Sequence, residues 1–364
     1  MKVKDIVNHL ESLAPRAYQE SYDNSGLLTG EPSQEITGVL TTLDCTEEVV
    51  QEAIDRGFNM IVAHHPIIFK GLKKLTGSNY VERTIIKAIR ANVAIYAIHT
   101  NLDNVDTGVN KKIGNKIGLK NLRVLVPKKD ILMKLVTFIP QENVDSVLSA
   151  LHEAGAGEIG KYKNCSFNME GTGKFMPTEG TNPHIGKVNQ MESVNETRTE
   201  VIFPAHLEGR IIGALKKAHP YEEVAYYLTR LENENQEVGS GMVGELEQPL
   251  EPIEFLRRLK TTMTLNSIRH TQLLDKKVKK VAICGGSGSF LLRQAIAEGA
   301  DFLVTADFKY HEFFDAEGKI TIADIGHYES EVYTKELIVE ILKEKFPTFA
   351  VNFSTTDTNP VRYL

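Results

Sequence analysis

The sequence predicts an α/β protein. Two copies of an α/β unit with mainly parallel sheets make up one domain, and a smaller ferredoxin-like α+β domain interrupts it. Three observations carry this expectation. Apolar, strand-like runs alternate with helical periods from residue 36 and again from residue 278. The two stretches match in phase: Ala53 falls with Ala295 and Gly57 with Gly299 at one offset, and His99 with His327 and Asp103 with Glu331 at another. Between them the order changes to β-α-β-β-α-β. The expected boundaries are 1–128 for the first half, 129–240 for the insert and 241–364 for the second half.

The chain opens on an amphipathic helix with Val3, Ile6, Val7, Leu10 and Leu13 on one side. Its acids and the lack of a long apolar core separate it from a signal peptide. Residues 36–43 read as a strand. Residues 46–56 read as a helix, with Asp44 and Glu47 at capping-box spacing and Gly57 at the stop. Residues 59–63 form a buried strand, 80–91 a helix, 93–98 a strand and 108–117 a helix. In the insert, strands fall at 131–139, 164–169, 198–204 and 224–231, with helices at 143–154 and 209–218. The stretch 171–196, rich in Gly, Asn, Thr, Ser and Pro, reads as a long hairpin loop, and 126–129 and 233–244 read as linkers. The second copy continues with strands at 278–284, 301–305, 320–325 and 349–353 and helices at 290–298 and 329–346.

A chain of 364 residues has room for two or three domains with ordinary cores. With 41% hydrophobic and 25% charged residues, it has the composition of a soluble globular protein. A net charge of −6 leaves no global footprint for nucleic acid; Lys70, Lys73 and Lys74 are the one candidate for a local basic patch and read first as a solvated loop. The cysteines Cys45, Cys165 and Cys284 lie far apart with no CxxC, which disfavours a disulfide framework and a thiolate zinc site and suits a reducing compartment. No run approaches the roughly 20 apolar residues a membrane span needs, so the cytoplasm is the expected location.

The chemistry concentrates at strand ends. His64 and His65 follow the run Met60-Ile61-Val62-Ala63; His99 and Asp103 sit in HTNLD; Asp307 follows a strand; His327 and Glu331 sit in GHYESE. In open parallel sheets ligands bind outside the carboxyl ends of the strands, so one edge can gather all of them. Each histidine alone reads first as an ordinary turn or core residue; the assembled set reverses that reading. The set of imidazoles and carboxylates suits zinc, iron, manganese or nickel, with zinc leading. His64, His65, Asp103, His327 and Glu331 exceed what one catalytic ion takes, and two ions about 3.5–4 Å apart would use them. His311, four residues after Asp307, and His99 are candidates for moving protons. GGSGS (285–289) lacks the Walker lysine and reads as a tight turn; GTGK (171–174) lacks the P-loop frame. His219-Pro220-Tyr221-Glu222-Glu223 reads as a turn before the last strand of the insert.

At these residues the chain resembles the NIF-three-like dinuclear-metal family, often labelled GTP cyclohydrolase 1 type 2 homologs. The resemblance spans essentially the whole chain. It rests on Asp23-Asn24-Ser25-Gly26-Leu27, His64-His65-Pro66, His99-Thr100-Asn101-Leu102-Asp103, Gly326-His327-Tyr328-Glu329-Ser330-Glu331 and Asn359-Pro360. The insert is similar to the PII/CutA-like domain of longer bacterial members, with Ala218-His219-Pro220-Tyr221-Glu222-Glu223-Val224-Ala225 as its hallmark. The resemblance implies two divalent ions per subunit, held by His64, His65, Asp103, His327 and Glu331, and a toroidal homohexamer with the sites facing an interior cavity. The expected function is a metal-dependent hydrolase that acts on a nucleotide or similar small molecule through metal-activated water, with the insert gating access or sensing a metabolite. The alternative is a non-catalytic, ring-shaped, metal-binding adaptor or regulator that binds protein or nucleic acid.

Overall fold

Helix α1 (Val3–Leu13) buries Val3, Ile6 and Leu10, the inner part of the apolar stripe, while Leu13 stays exposed. The first half continues with β1 (Gly26–Thr29), β2 (Val39–Thr42), α2 (Glu47–Asp55), β3 (Met60–Ala63), α3 (Tyr80–Arg90), β4 (Ala94–Ala97), α4 (Thr100–Asp103), α5 (Val109–Lys116) and β5 (Leu119–Lys128). Then come β6 (Leu132–Pro140), α6 (Val144–Glu153), β7 (Phe167–Phe175), β8 (Glu192–Pro204), α7 (Glu208–Ala218) and β9 (Tyr226–Leu231). The chain closes with β10 (Asn235–Leu250), α8 (Pro252–Thr262), β11 (Arg269–His270), β12 (Val278–Ser287), α9 (Leu292–Ala297), β13 (Phe302–Ala306), β14 (Thr321–Asp324), α10 (His327–Glu331), α11 (Thr334–Lys345) and β15 (Val351–Phe353). This computed structural model describes residues 1–364 and divides into two units, Met1–Val126 with Glu237–Leu364, and Pro127–Gln236.

The larger unit holds two sheets built alike. One has the order β1-β4-β3-β2-β15, with β15, β2, β3 and β4 parallel and β1 antiparallel to β4. The other has the order β11-β14-β13-β12-β10-β5; β12, β13 and β14 are parallel, and β11 and β10 run antiparallel to them. Both sheets are therefore mixed, with a parallel centre and antiparallel neighbours, so the expectation of mainly parallel sheets is met only in part. The strand–helix alternation reports only crossover pairs; antiparallel neighbours need no crossover helix and escaped it. Every residue of β2, β3, β4, β13 and β14 is buried, as central strands covered on both faces require. Leu40, Val49, Ile61, Ile85 and Ile95 pack one core, and Leu291, Leu303, Ile320 and Ile322 another.

The stretches read as linkers are strands: β5 and β10 are neighbours in the second sheet. One of the glycines that suggested a joint serves this pairing. A Cβ on Gly244 would stand 2.9 Å from the Lys120 carbonyl oxygen and 3.1 Å from the Leu119 Cβ, so glycine there admits the facing backbone.

In the smaller unit, β6-α6-β7-β8-α7-β9 forms an antiparallel sheet of order β7-β8-β6-β9. Leu135, Ile139, Val201 and Phe203 of the sheet meet Val147 and Leu151 of α6 and Ile211 and Leu215 of α7 in one core. Strands β7 and β8 run on through the register Gly171↔Glu196 to Phe175↔Glu192, which shortens the expected hairpin loop to 176–191.

Candidate metal centre

Strands β2, β3 and β4 lie parallel, so their carboxyl ends share one edge. Asp44 follows β2, His64 and His65 follow β3, and His99 and α4 follow β4. From the second sheet, Asp307 follows β13, and α10 after β14 carries His327 and Glu331 one turn apart. The capping-box reading of Asp44 is corrected: the Thr46 hydroxyl caps α2, accepting from the Val49 N–H, and Asp44 is free to face His65.

Each imidazole is held by its Nδ1. His64 donates to the Ile98 carbonyl at 2.9 Å, His65 to Asp44 at 2.8 Å, His99 to Asp23 at 2.8 Å and His327 to Asp307 at 2.6 Å. Those partners only accept, which puts the proton on Nδ1 and leaves Nε2 to face the centre. His65 Nε2 and His327 Nε2 each lie 3.0 Å from Glu331 Oε2 and 3.4 Å from each other. His64 Nε2 lies 3.6 Å from Asp103 Oδ1 and 3.9 Å from Glu331 Oε1. Both His64 Nε2 and Asp103 Oδ1 are buried and make no hydrogen bond. A buried imidazole nitrogen and a buried carboxyl oxygen that face each other with no hydrogen bond are costly unless a cation joins them. That pair is the observation that fits these residues to a metal ion.

Three triplets bring their ligand atoms within 4.8 Å of one another: His64, Asp103 and Glu331; His65, His327 and Glu331; and His64, His65 and His99. The structure thus gathers His64, His65, Asp103, His327 and Glu331, and sets His99 beside them with its ring centroid 5.3 Å from that of His64. Burial pulls the His64 pKa down to about 4. For His65, burial is outweighed by Asp44 and Glu331, which hold it up at about 10; Glu331 and Asp307 likewise hold His327 at about 9 against burial. Asp103 is raised by burial and by Glu331. Protons and a divalent ion would compete for these same lone pairs. Cys45 and Cys284 also line the cavity, but burial pushes Cys45 up to about 12, and burial with Asp103 and Glu331 pushes Cys284 up as well. The available donors are nitrogen and oxygen, not thiolate.

His311 does not join them. It sits on an exposed 3₁₀ turn, Tyr310–Ala316, against the rings of Tyr310 and Phe314, and it lines no wall of the cavity at the cluster. Spacing by four put it beside Asp307 only on a continuous helix; Asp307 instead has φ 59° and precedes that turn. The orienting roles of Asp23, Asp44 and Asp307 were missed. The available signal was an acid immediately after a strand at Asp44 and Asp307. GGSGS also gains a role. At Gly286, φ is +60° and a Cβ would stand 2.4 Å from Glu331 Oε1, so glycine there makes room for the carboxylate.

A cavity of about 790 Å³ opens onto the cluster, with Tyr22, Phe69, Tyr80 and Phe290 among its walls and His65, His99, Asp103, His327 and Glu331 at its base. No helix is long and apolar enough to cross a membrane.

The sequence profile of the Duf34/NIF3 (NGG1p interacting factor 3) family matches residues 1–360. A Halalkalibacterium halodurans protein named "GTP cyclohydrolase 1 type 2 homolog" is 39% identical over 365 residues, covering 99% of this chain and 98% of that one. Among solved structures, a Bacillus cereus protein related to NIF3 superposes with a TM-score of 0.87 at 37% identity, covering 100% of this chain and 99% of that one. A Staphylococcus aureus protein superposes with a TM-score of 0.80 at 33% identity and the same coverage.

Proposed function

The chain belongs to the Duf34/NIF3 family, and from that premise we propose that it is a hydrolase that uses two divalent metal ions, acting on a nucleotide or similar small molecule. The observation that carries the reading is the buried, unbonded pair of His64 Nε2 and Asp103 Oδ1 beside a second set of converging donors. His64, Asp103 and Glu331 would hold one ion, His65, His327 and Glu331 the other, with Glu331 shared. Imidazole and carboxylate donors suit zinc, the ion we put first, and iron, manganese or nickel as well. Bound ions of this kind lower the pKa of water and steady charge that develops on oxygen.

The chain's own residues would do the rest. His99, oriented by Asp23, is the candidate for moving a proton at its Nε2. Tyr22, Phe69 and Phe290 offer ring faces, and the cavity has the size of a small-molecule site. Around this centre we read a toroidal homohexamer in the cytoplasm. We read the smaller unit as a ferredoxin-like domain of PII/CutA type, which its element order and strand order support.

The test pairs elemental analysis of protein purified without affinity metals with turnover of a nucleotide panel. Glu331→Ala is expected to abolish both metal and turnover, and His65→Ala to remove one ion and turnover with it. Turnover that survives both substitutions would remove this centre as its source. Metal binding with no turnover of any nucleotide would favour the non-catalytic adaptor.

A further inference from the structure

We propose that the smaller unit holds a separate ligand site, a cavity of about 600 Å³ that takes a planar nitrogen heterocycle of nucleobase type. It draws on no residue of the metal centre. Two motifs without a role, GTGK and HPYEE, meet there: Gly171–Lys174 on β7 and Tyr221–Glu223 before β9 line the same cavity.

Glu196 of β8 forms the polar base. It is only 8% exposed, and the Tyr221 hydroxyl donates to its Oε1 at 2.9 Å. A Cβ on residue 173 would stand 2.0 Å from Glu196 Oε2, so Gly173 makes room for the carboxylate. Tyr221 is itself fixed. Its N–H donates to His219 Nδ1 at 3.1 Å, and His219 Nε2 donates to the Phe138 carbonyl at 2.9 Å. Rings supply the walls. Phe175 lies 5.9 Å from Tyr221, and Phe138 lies 5.7 Å from Tyr227, centroid to centroid. The loop after β7 is pinned where the Asn182 N–H donates to Glu222 at 2.9 Å.

These features select a ligand chemistry. A hydrocarbon would shield the carboxylate from water and return no hydrogen bond. An anion would be repelled by Glu196. A group with N–H donors on a flat ring satisfies the carboxylate and stacks on the aromatic faces. Guanine offers a ring N–H beside an exocyclic amine, the pair that one carboxylate accepts. The exposed Lys174 suits a phosphate on the same base, so nucleoside and nucleotide separate base recognition from phosphate recognition.

The test is isothermal titration calorimetry of the full chain with guanosine and then GTP. Guanosine is expected to bind wild type and His65→Ala equally. Glu196→Gln keeps the side-chain shape and an acceptor for Tyr221, and is expected to weaken binding about tenfold or more. Tyr227→Ala, at a ring 62% exposed and outside the core, is expected to weaken it without lowering Tm. Lys174→Ala is expected to remove only the advantage of GTP over guanosine. No guanosine heat at millimolar concentration would overturn the proposal. So would equal affinity in Glu196→Gln and Tyr227→Ala, or binding lost in His65→Ala but kept in Glu196→Gln.

Discussion

Replacing Asp44 with asparagine keeps the side chain's shape and removes the charge behind His65. The Asp44 carboxylate takes the His65 Nδ1 proton at 2.8 Å, which fixes the ring and makes Nε2 a better donor to a metal ion. Losing such a partner costs roughly 10–100-fold in metal affinity, or about 1.4–2.7 kcal/mol. The equivalent pair on the other side, Asp307 and His327, has the shorter contact at 2.6 Å but stands more in water. The Asp44 and His65 side chains are 33% and 15% exposed, against 48% and 41% for Asp307 and His327. Water screens a charge-assisted bond, so burial rather than length should rank the two. Asp44→Asn is therefore expected near the hundredfold end and Asp307→Asn near tenfold. Competition with a chromophoric zinc chelator measures both, with thermal melts to confirm folding. Affinities within twofold of wild type, or a larger loss for Asp307→Asn, would refute the reasoning.

Three further expectations concern the scaffold. Thr46→Ala removes the cap on α2, whose bond to the Val49 N–H is long at 3.4 Å, so urea denaturation should show a loss of only about 0.5–1 kcal/mol. Phe302→Ala opens a cavity in a fully packed site where Phe302 meets Phe255 edge-on at 4.9 Å, and should cost about 3–5 kcal/mol in the same assay. Burial opposes the charge on Glu52, yet Ser354, Thr355, Thr356 and Arg56 hold its carboxyl down at about 2, below the unfolded value of about 4.3. Its contribution is thus whole above about pH 4.3 and lost as pH falls toward about 2, so the Tm gap between wild type and Glu52→Gln should narrow only in that acid window. A gap unchanged down to about pH 2 would contradict the assignment.

The central strands were legible because they are buried on both faces: Met60-Ile61-Val62-Ala63 carries its own signal without reference to any partner. The antiparallel neighbours were not, since β10 carries Gly239, Gly241 and Gly244 close together and looks like a joint until β5 is set against it. At the site, the imidazoles could be found by their place after strands. Their orienting acids were harder: Asp44 and Asp307 show only as acids after strands, and Asp23 is defined by a ring nitrogen 76 residues away. His311 failed for the converse reason: spacing predicts proximity only where the intervening backbone is helical, and the chain at Asp307 is not.

The same long-range pairing decides how the centre should lose metal. The first sheet's strand ends bring His64, His65 and Asp103; the second sheet's bring His327 and Glu331. Each triplet that contains Glu331 therefore mixes the two sheets. Asp103 serves only the triplet with His64, and His327 only the one with His65, whereas Glu331 serves both. If each triplet holds its own ion, Asp103→Ala and His327→Ala should each leave one ion per chain, and Glu331→Ala should leave none. Elemental analysis of the three variants beside wild type, which is expected to carry two, reads the difference directly. A Glu331→Ala protein that still carries two ions would break the shared-carboxylate geometry. Loss of both ions in Asp103→Ala and in His327→Ala would show that the two positions fill only together.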